Sequence, residues 1–216
     1  MALRQRETAE QGNDTANPLI RKLDQFAEYR ELSEVDEIAR RALSNNAFDG
    51  ILTILGVVMG AYVAGVKDPS VVLLTGVSTC VAIGVSGAWG RYFGESAERK
   101  NEMQQLGQAM LLDLNQMTKT RQARASQFAV LVVSAVDGLA PLVAGLITVL
   151  PFFFAGLLPS ILYAYIGSIL MAFASLFALG AFLANLAKEN LIRGGLRLIM
   201  AGVVSVIFSF LLNGSS

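Results

Sequence analysis

The chain has 216 residues, 54% of them hydrophobic and 16% charged, against about 25% charged in an ordinary soluble domain. Its net charge is zero, and the dense charged region over the first 47 residues carries seven basic against nine acidic side chains, which excludes a phosphate-neutralising surface and nucleic acid as a partner. One cysteine and no histidine exclude an intrachain disulfide and a Cys/His zinc cluster, so any metal site must be built from oxygen, with methionine sulfur the remaining donor.

The opening MALRQRETAEQGNDTANPL has no apolar core of the kind a cleavable signal needs. Residues 1–17 read as a disordered polar tail on the cytosolic side. Over 18–41, Leu19, Leu23, Phe26, Tyr29, Leu32, Val35 and Ile38 recur at three- and four-residue steps, predicting a cytosolic amphipathic helix. A first membrane span follows at 42–66, since roughly 20 helical residues cross about 30 Å of hydrocarbon. Lys67, Asp68 and Pro69 make a tight turn. The second span, 71–93, runs on into a charged cytosolic helical segment, 94–126. The third span, 128–150, leads to an uncharged connection with Pro151, Gly156 and Pro159, and the fourth and fifth spans cover 161–186 and 196–214. From Ala125 to Ala187, 63 residues carry one charge, Asp137, a density that no water-exposed surface tolerates.

The expectation is therefore an all-α integral membrane protein with five transmembrane helices, multi-pass, in the plasma membrane if the source is prokaryotic. Alternating the compartments puts sixteen of the seventeen lysines and arginines on one side, leaving only Lys67 on the other. The basic side is cytoplasmic, so the N-terminus is inside and the C-terminus outside. There is also an internal echo: NAFDGILTILGVVMG at 46–60 and SAVDGLAPLVAGLIT at 134–148 each place an Asp-Gly pair in an odd-numbered span, as in a parallel repeat of a two-helix unit.

Two aspartates remain inside spans, where a carboxylate costs a few kcal/mol and is ordinarily kept for ion or proton handling. Asn45, Asp49 and Thr53 are four apart and share a helix face with Gly56 and Gly60, giving oxygen ligands and then room for another helix. The other reading of Asp49 is local: a helix beginning at Asn46 would make Asn46 its N-cap and Asp49 its third-position acid. Asp137 lies about 15 Å into its span at 1.5 Å per residue. Pro141, four residues on, frees the Asp137 carbonyl from the helix ladder. Either Asp137 binds a cation or a proton, or it is a buried aspartate at a kink.

Glu95, Glu98 and Glu102 share one face of the cytosolic extension, where they could collect hard divalent cations or form a solvated face neutralised by Arg99. Met103, Met110 and Met117, with Leu106 and Leu114, form a heptad stripe that reads as a packing seam. Ala82, Ser86, Gly90 and Gly94 form a run of small residues, as do Gly56 and Gly60, and both predict close helix contacts within or between subunits. No nucleophile and base pair, phosphate loop or Cys-x-x-Cys motif is present, so the chain does not read as an enzyme and no permanently bound cofactor is expected.

FDGILTILGVVMG, VSGAWGRYFGESAER, VDGLAPLVAGLITVLPF and LRLIMAG resemble segments of the vacuolar iron transporter family, especially its short prokaryotic members, over roughly residues 34–214. The resemblance implies five helices and a homodimer that exports Fe²⁺ or Mn²⁺ from the cytosol in exchange for protons, along a path between the first and second helices of both subunits. The family's aspartate of the first helix falls on Asp49, and its metal-gathering glutamates fall on Glu95, Glu98 and Glu102. Where eukaryotic members carry a glutamate and a methionine in the second helix, this chain has Thr79 and Gly87, which suggests that Asp137 substitutes for a lost ligand. The cytosolic insertion, about 35 residues, is too short for the three-helix metal-binding domain of those members. Divalent metal is thus expected as substrate, with the bilayer and a second copy as partners. The alternative from another class is a non-transporting membrane scaffold whose N-terminal helix and Met/Leu seam recruit a partner.

Overall fold

The computed structural model describes residues 35–109 and 121–213. Within them the chain folds into five long helices and no strand. They are α1 (Val35–Val63), α2 (Pro69–Ala109), α3 (Arg121–Phe153), α4 (Ile161–Leu186) and α5 (Leu191–Asn213), with a 3₁₀ turn at Ala155–Leu157. All five are long and apolar enough to cross a membrane, so the protein is a multi-pass integral membrane protein. The amphipathic helix expected over 18–41 lies outside the described residues up to 34, and from Val35 onward the chain is already part of α1. The greater part of the methionine seam also falls outside them.

The described residues divide into two compact units, one within 35–38, 94–109 and 121–132, the other within 39–93 and 133–213. The second holds the packed core. On α1, Ile51, Ile54, Leu55, Val58 and Met59 are buried, a three- and four-residue spacing that makes one broad apolar face. Part of this face meets Val72, Cys80, Val149, Phe152, Ala164 and Tyr165, and part meets Ala172 and Leu176.

The helix ends follow from local chemistry. Asp68 caps α2 by accepting from the Ser70 amide at 2.9 Å, with Pro69 at the first helical position, where a missing N–H costs nothing. Ser160 caps α4 and Asn190 caps α5 through the same two-residue reach. At the end of α1 the Val66 amide donates to the Ala61 carbonyl and the Gly65 amide to that of Tyr62, a Schellman closure in which Gly65 takes φ +69°. The end of α4 repeats it with Glu189 to Ala184 and Lys188 to Asn185, but there the left-handed position, φ 56°, is held by Lys188. A side chain strains that conformation by about 1 kcal/mol, so Lys188→Gly is expected to raise the melting temperature by roughly 2–4 °C in a thermal unfolding scan.

Within the described residues of one chain, the small residues that bring helices together lie outside the two stripes, which leaves the stripes' other expected use, contact between subunits. A Cβ added at Gly56, Gly60, Gly90 or Gly94 would meet no atom of another helix within 4 Å, and Ser86 is exposed, so neither stripe is a contact within the described chain. The close approaches fall elsewhere. Gly180 and Gly194 bring α4 and α5 backbone to backbone, and Gly50 lies on the Pro141 backbone of α3. Gly84 faces the Gly138 carbonyl, and Gly87 faces the carbonyl of Asp137, 2.7 Å from where its Cβ would stand.

Candidate functional site

Asp137 is 6% exposed and is the meeting point of α1, α2 and α3. Its Oδ2 accepts from Arg91 Nε of α2 at 2.5 Å and its Oδ1 from Asn46 Nδ2 of α1 at 2.6 Å. The same Asn46 nitrogen donates to the Ala42 carbonyl at 2.9 Å, so both amide protons are used and the group's orientation is set. Two charge-assisted bonds offset the cost of burying a carboxylate. Proline at 141 leaves the Asp137 carbonyl without its helical donor, and the absence of a side chain at Gly87 lets α2 close over it.

These contacts alter the reading of Asp137 as a substitute cation ligand. Both of its oxygens are engaged by protein donors, one of them a cation. Arg91, counted from sequence among the cytosolic charges, lies in the helix range Pro69–Glu102 that contains the second candidate span, and it pairs with Asp137. Sequence reasoning missed that pairing, although a signal existed: an arginine at the end of an apolar run requires a nearby anion, and Asp49 and Asp137 were the two intramembrane candidates.

Asp49 stands differently. Because α1 begins at Val35, Asn46 and Asp49 sit well inside the helix, which overturns the capping-box reading of both. Asn45, Asp49 and Thr53 are exposed on one strip that continues through Gly56 to Gly60. Among the described residues none donates a hydrogen bond to Asp49 or pairs with it. The strip is thus three oxygen-bearing side chains at four-residue spacing, followed by two open glycines.

The glutamates expected to gather metal on the extension of α2 do not converge. Arg99 Nε lies 3.2 Å from a Glu95 oxygen and its Nη1 3.5 Å from Glu102, while Glu98 is exposed. No group of three acidic or cysteine side chains able to hold a metal occurs among the described residues.

The sequence profile of the VIT family matches residues 41–124, a stretch that includes the Asn45–Thr53 strip, Arg91 and the three glutamates. The chain is also 28% identical over 177 residues to an uncharacterized protein of Methanocaldococcus jannaschii, covering 82% of this chain and 90% of that one. The family match is consistent with a VIT family member.

Proposed function

We propose that this chain, with the VIT family pattern across residues 41–124, is a divalent-metal transporter that exports Fe²⁺ or Mn²⁺ from the cytosol in exchange for protons and works as a homodimer. One observation carries the reading: a carboxylate with no hydrogen-bond or ion-pair partner among the described residues, Asp49, on the exposed strip of an apolar helix. Exposed to hydrocarbon, such a group costs about 2.5–3.5 kcal/mol. A second copy of the chain laid against the strip removes that exposure, and Gly56 and Gly60 let the two α1 backbones approach closely.

Two facing Asp49 carboxylates carry the charge that neutralises one divalent ion. Asn45 and Thr53 add neutral oxygens one turn to either side, the ligand type preferred by hard cations. Proton and metal compete for the same carboxylate oxygens, so protonation on one side of the membrane releases the ion bound from the other. The positive-inside distribution of lysine and arginine sets the N-terminus in the cytosol. Proteoliposomes holding the purified protein under a pH gradient are expected to accumulate Mn²⁺ or Fe²⁺ and to move protons the opposite way. Metal accumulation equal to that of empty liposomes would overturn the assignment.

A further inference from the structure

We infer that Asp137, Arg91 and Asn46 form a charge-neutral clamp across three helices that positions Asp49, so that Asp137 is a positioning residue and not a ligand of the transported cation. The inference rests on the reading of Asp49 as the transport carboxylate. Its geometry comes from two contacts between α1 and α3. Asn46 bonds Asp137, and Gly50 lies on the backbone of Pro141, four residues further along each helix. Two contacts in register, one turn apart, fix the rotation of α1 about its own axis. Asp49 immediately precedes the second contact, so its direction is set by the clamp.

The third helix is held in the same register. Gly84 faces the Gly138 carbonyl and Gly87 that of Asp137, and one turn beyond Gly87 the Arg91 side chain reaches Asp137 Oδ2. Close packing of α2 on α3 through glycine thus delivers the guanidinium to the carboxylate. A cation approaching Asp137 would stand beside that guanidinium, and the repulsion is strong where water is excluded. The pair cancels its own charge, leaving Asp49 as the carboxylate available to the ion. Gly87 also has no room for a ligating side chain, since even a Cβ would press on the Asp137 carbonyl.

The test uses the full-length protein with Arg91→Gln, Asp137→Asn and the double variant, read by thermal unfolding in detergent and by Mn²⁺ flux into proteoliposomes. Arg91→Gln leaves the buried Asp137 carboxylate without the guanidinium, and the melting temperature is expected to fall by about 10 °C; Asp137→Asn removes the acceptor on which Arg91 and Asn46 converge, and a smaller fall is expected. Maximal flux should fall roughly 10-fold, the equivalent of 1.4 kcal/mol. The double variant restores neutrality, so it should melt within a few degrees of the parent and regain most of the flux, with half-maximal Mn²⁺ concentration within about 2-fold of the parent. A double variant that folds like the parent but transports no better than Asp137→Asn would make Asp137 a ligand and overturn the clamp. Additive losses of melting temperature would overturn it too. A parent protein that moves no Mn²⁺ defeats the transport reading of Asp49, while the melting cycle still decides whether the clamp exists.

Discussion

Asp49→Asn is expected to lower pH-gradient-driven Mn²⁺ flux by at least about 100-fold, some 2.7 kcal/mol of lost stabilisation at 1.36 kcal/mol per tenfold, while leaving the fold intact. Asparagine keeps the size and one carbonyl oxygen of the side chain but removes the charge and the titrating proton, the two properties on which exchange depends. Folding should not suffer, because Asp49 is exposed and no described residue bonds to it. If anything, removing an uncompensated charge from an apolar span stabilises the chain. The check is a pair of measurements on one preparation: flux, and the rise in melting temperature on adding Mn²⁺. Both should vanish together in Asp49→Asn. A variant that retains either at the parent's level would remove Asp49 from the ion path.

The second large effect separates two kinds of glycine on one helix. Gly50→Ala places a Cβ 2.6 Å from the Cα and 2.9 Å from the carbonyl carbon of Pro141. Those are backbone atoms of a proline-containing helix, which cannot swing aside as a side chain can. Overpacking of this kind costs about 3 kcal/mol, so the melting temperature should drop by roughly 6–12 °C. A Cβ added at Gly56 meets no atom within 4 Å among the described residues, so Gly56→Leu should leave the monomer's stability unchanged or slightly raised, because glycine is the weaker helix former by about 1 kcal/mol. Its effect should appear in assembly: if the exposed strip is the homodimer interface, the leucine holds the two helices apart and the protein runs as a monomer in detergent and on chemical cross-linking. A Gly56→Leu protein that remains dimeric would place the interface elsewhere.

The two Asp-Gly pairs show where legibility ended. In sequence they are near copies, Asp49-Gly50 and Asp137-Gly138, each in an odd-numbered span. In the fold both glycines sit at tight helix crossings, so the shared feature reflects packing. The aspartates part company: Asp137 is buried against Arg91, and Asp49 stands on an open strip. Periodicity could place Asn45, Asp49 and Thr53 on one face because that relation spans less than three turns of one helix. It could not show that the face lacks a partner among the described residues, which depends on how the other helices pack. The same holds for the small-residue stripes, whose spacing shows only that a close contact is permitted.

What the sequence determined by itself was everything governed by neighbouring residues. Hydropathy runs long enough to cross a bilayer require helices, since only intrachain bonding satisfies the backbone in hydrocarbon, and the five-span organisation follows. The caps at Asp68, Ser160 and Asn190 are local as well. The tertiary structure alone decided which charges meet. Arg91 and Asp137 are 46 residues apart, and Asn46 and Asp137 are 91 apart. No local pattern encodes such a pairing; it arises where glycines let three helices close to backbone distance and a buried carboxylate must find its donors.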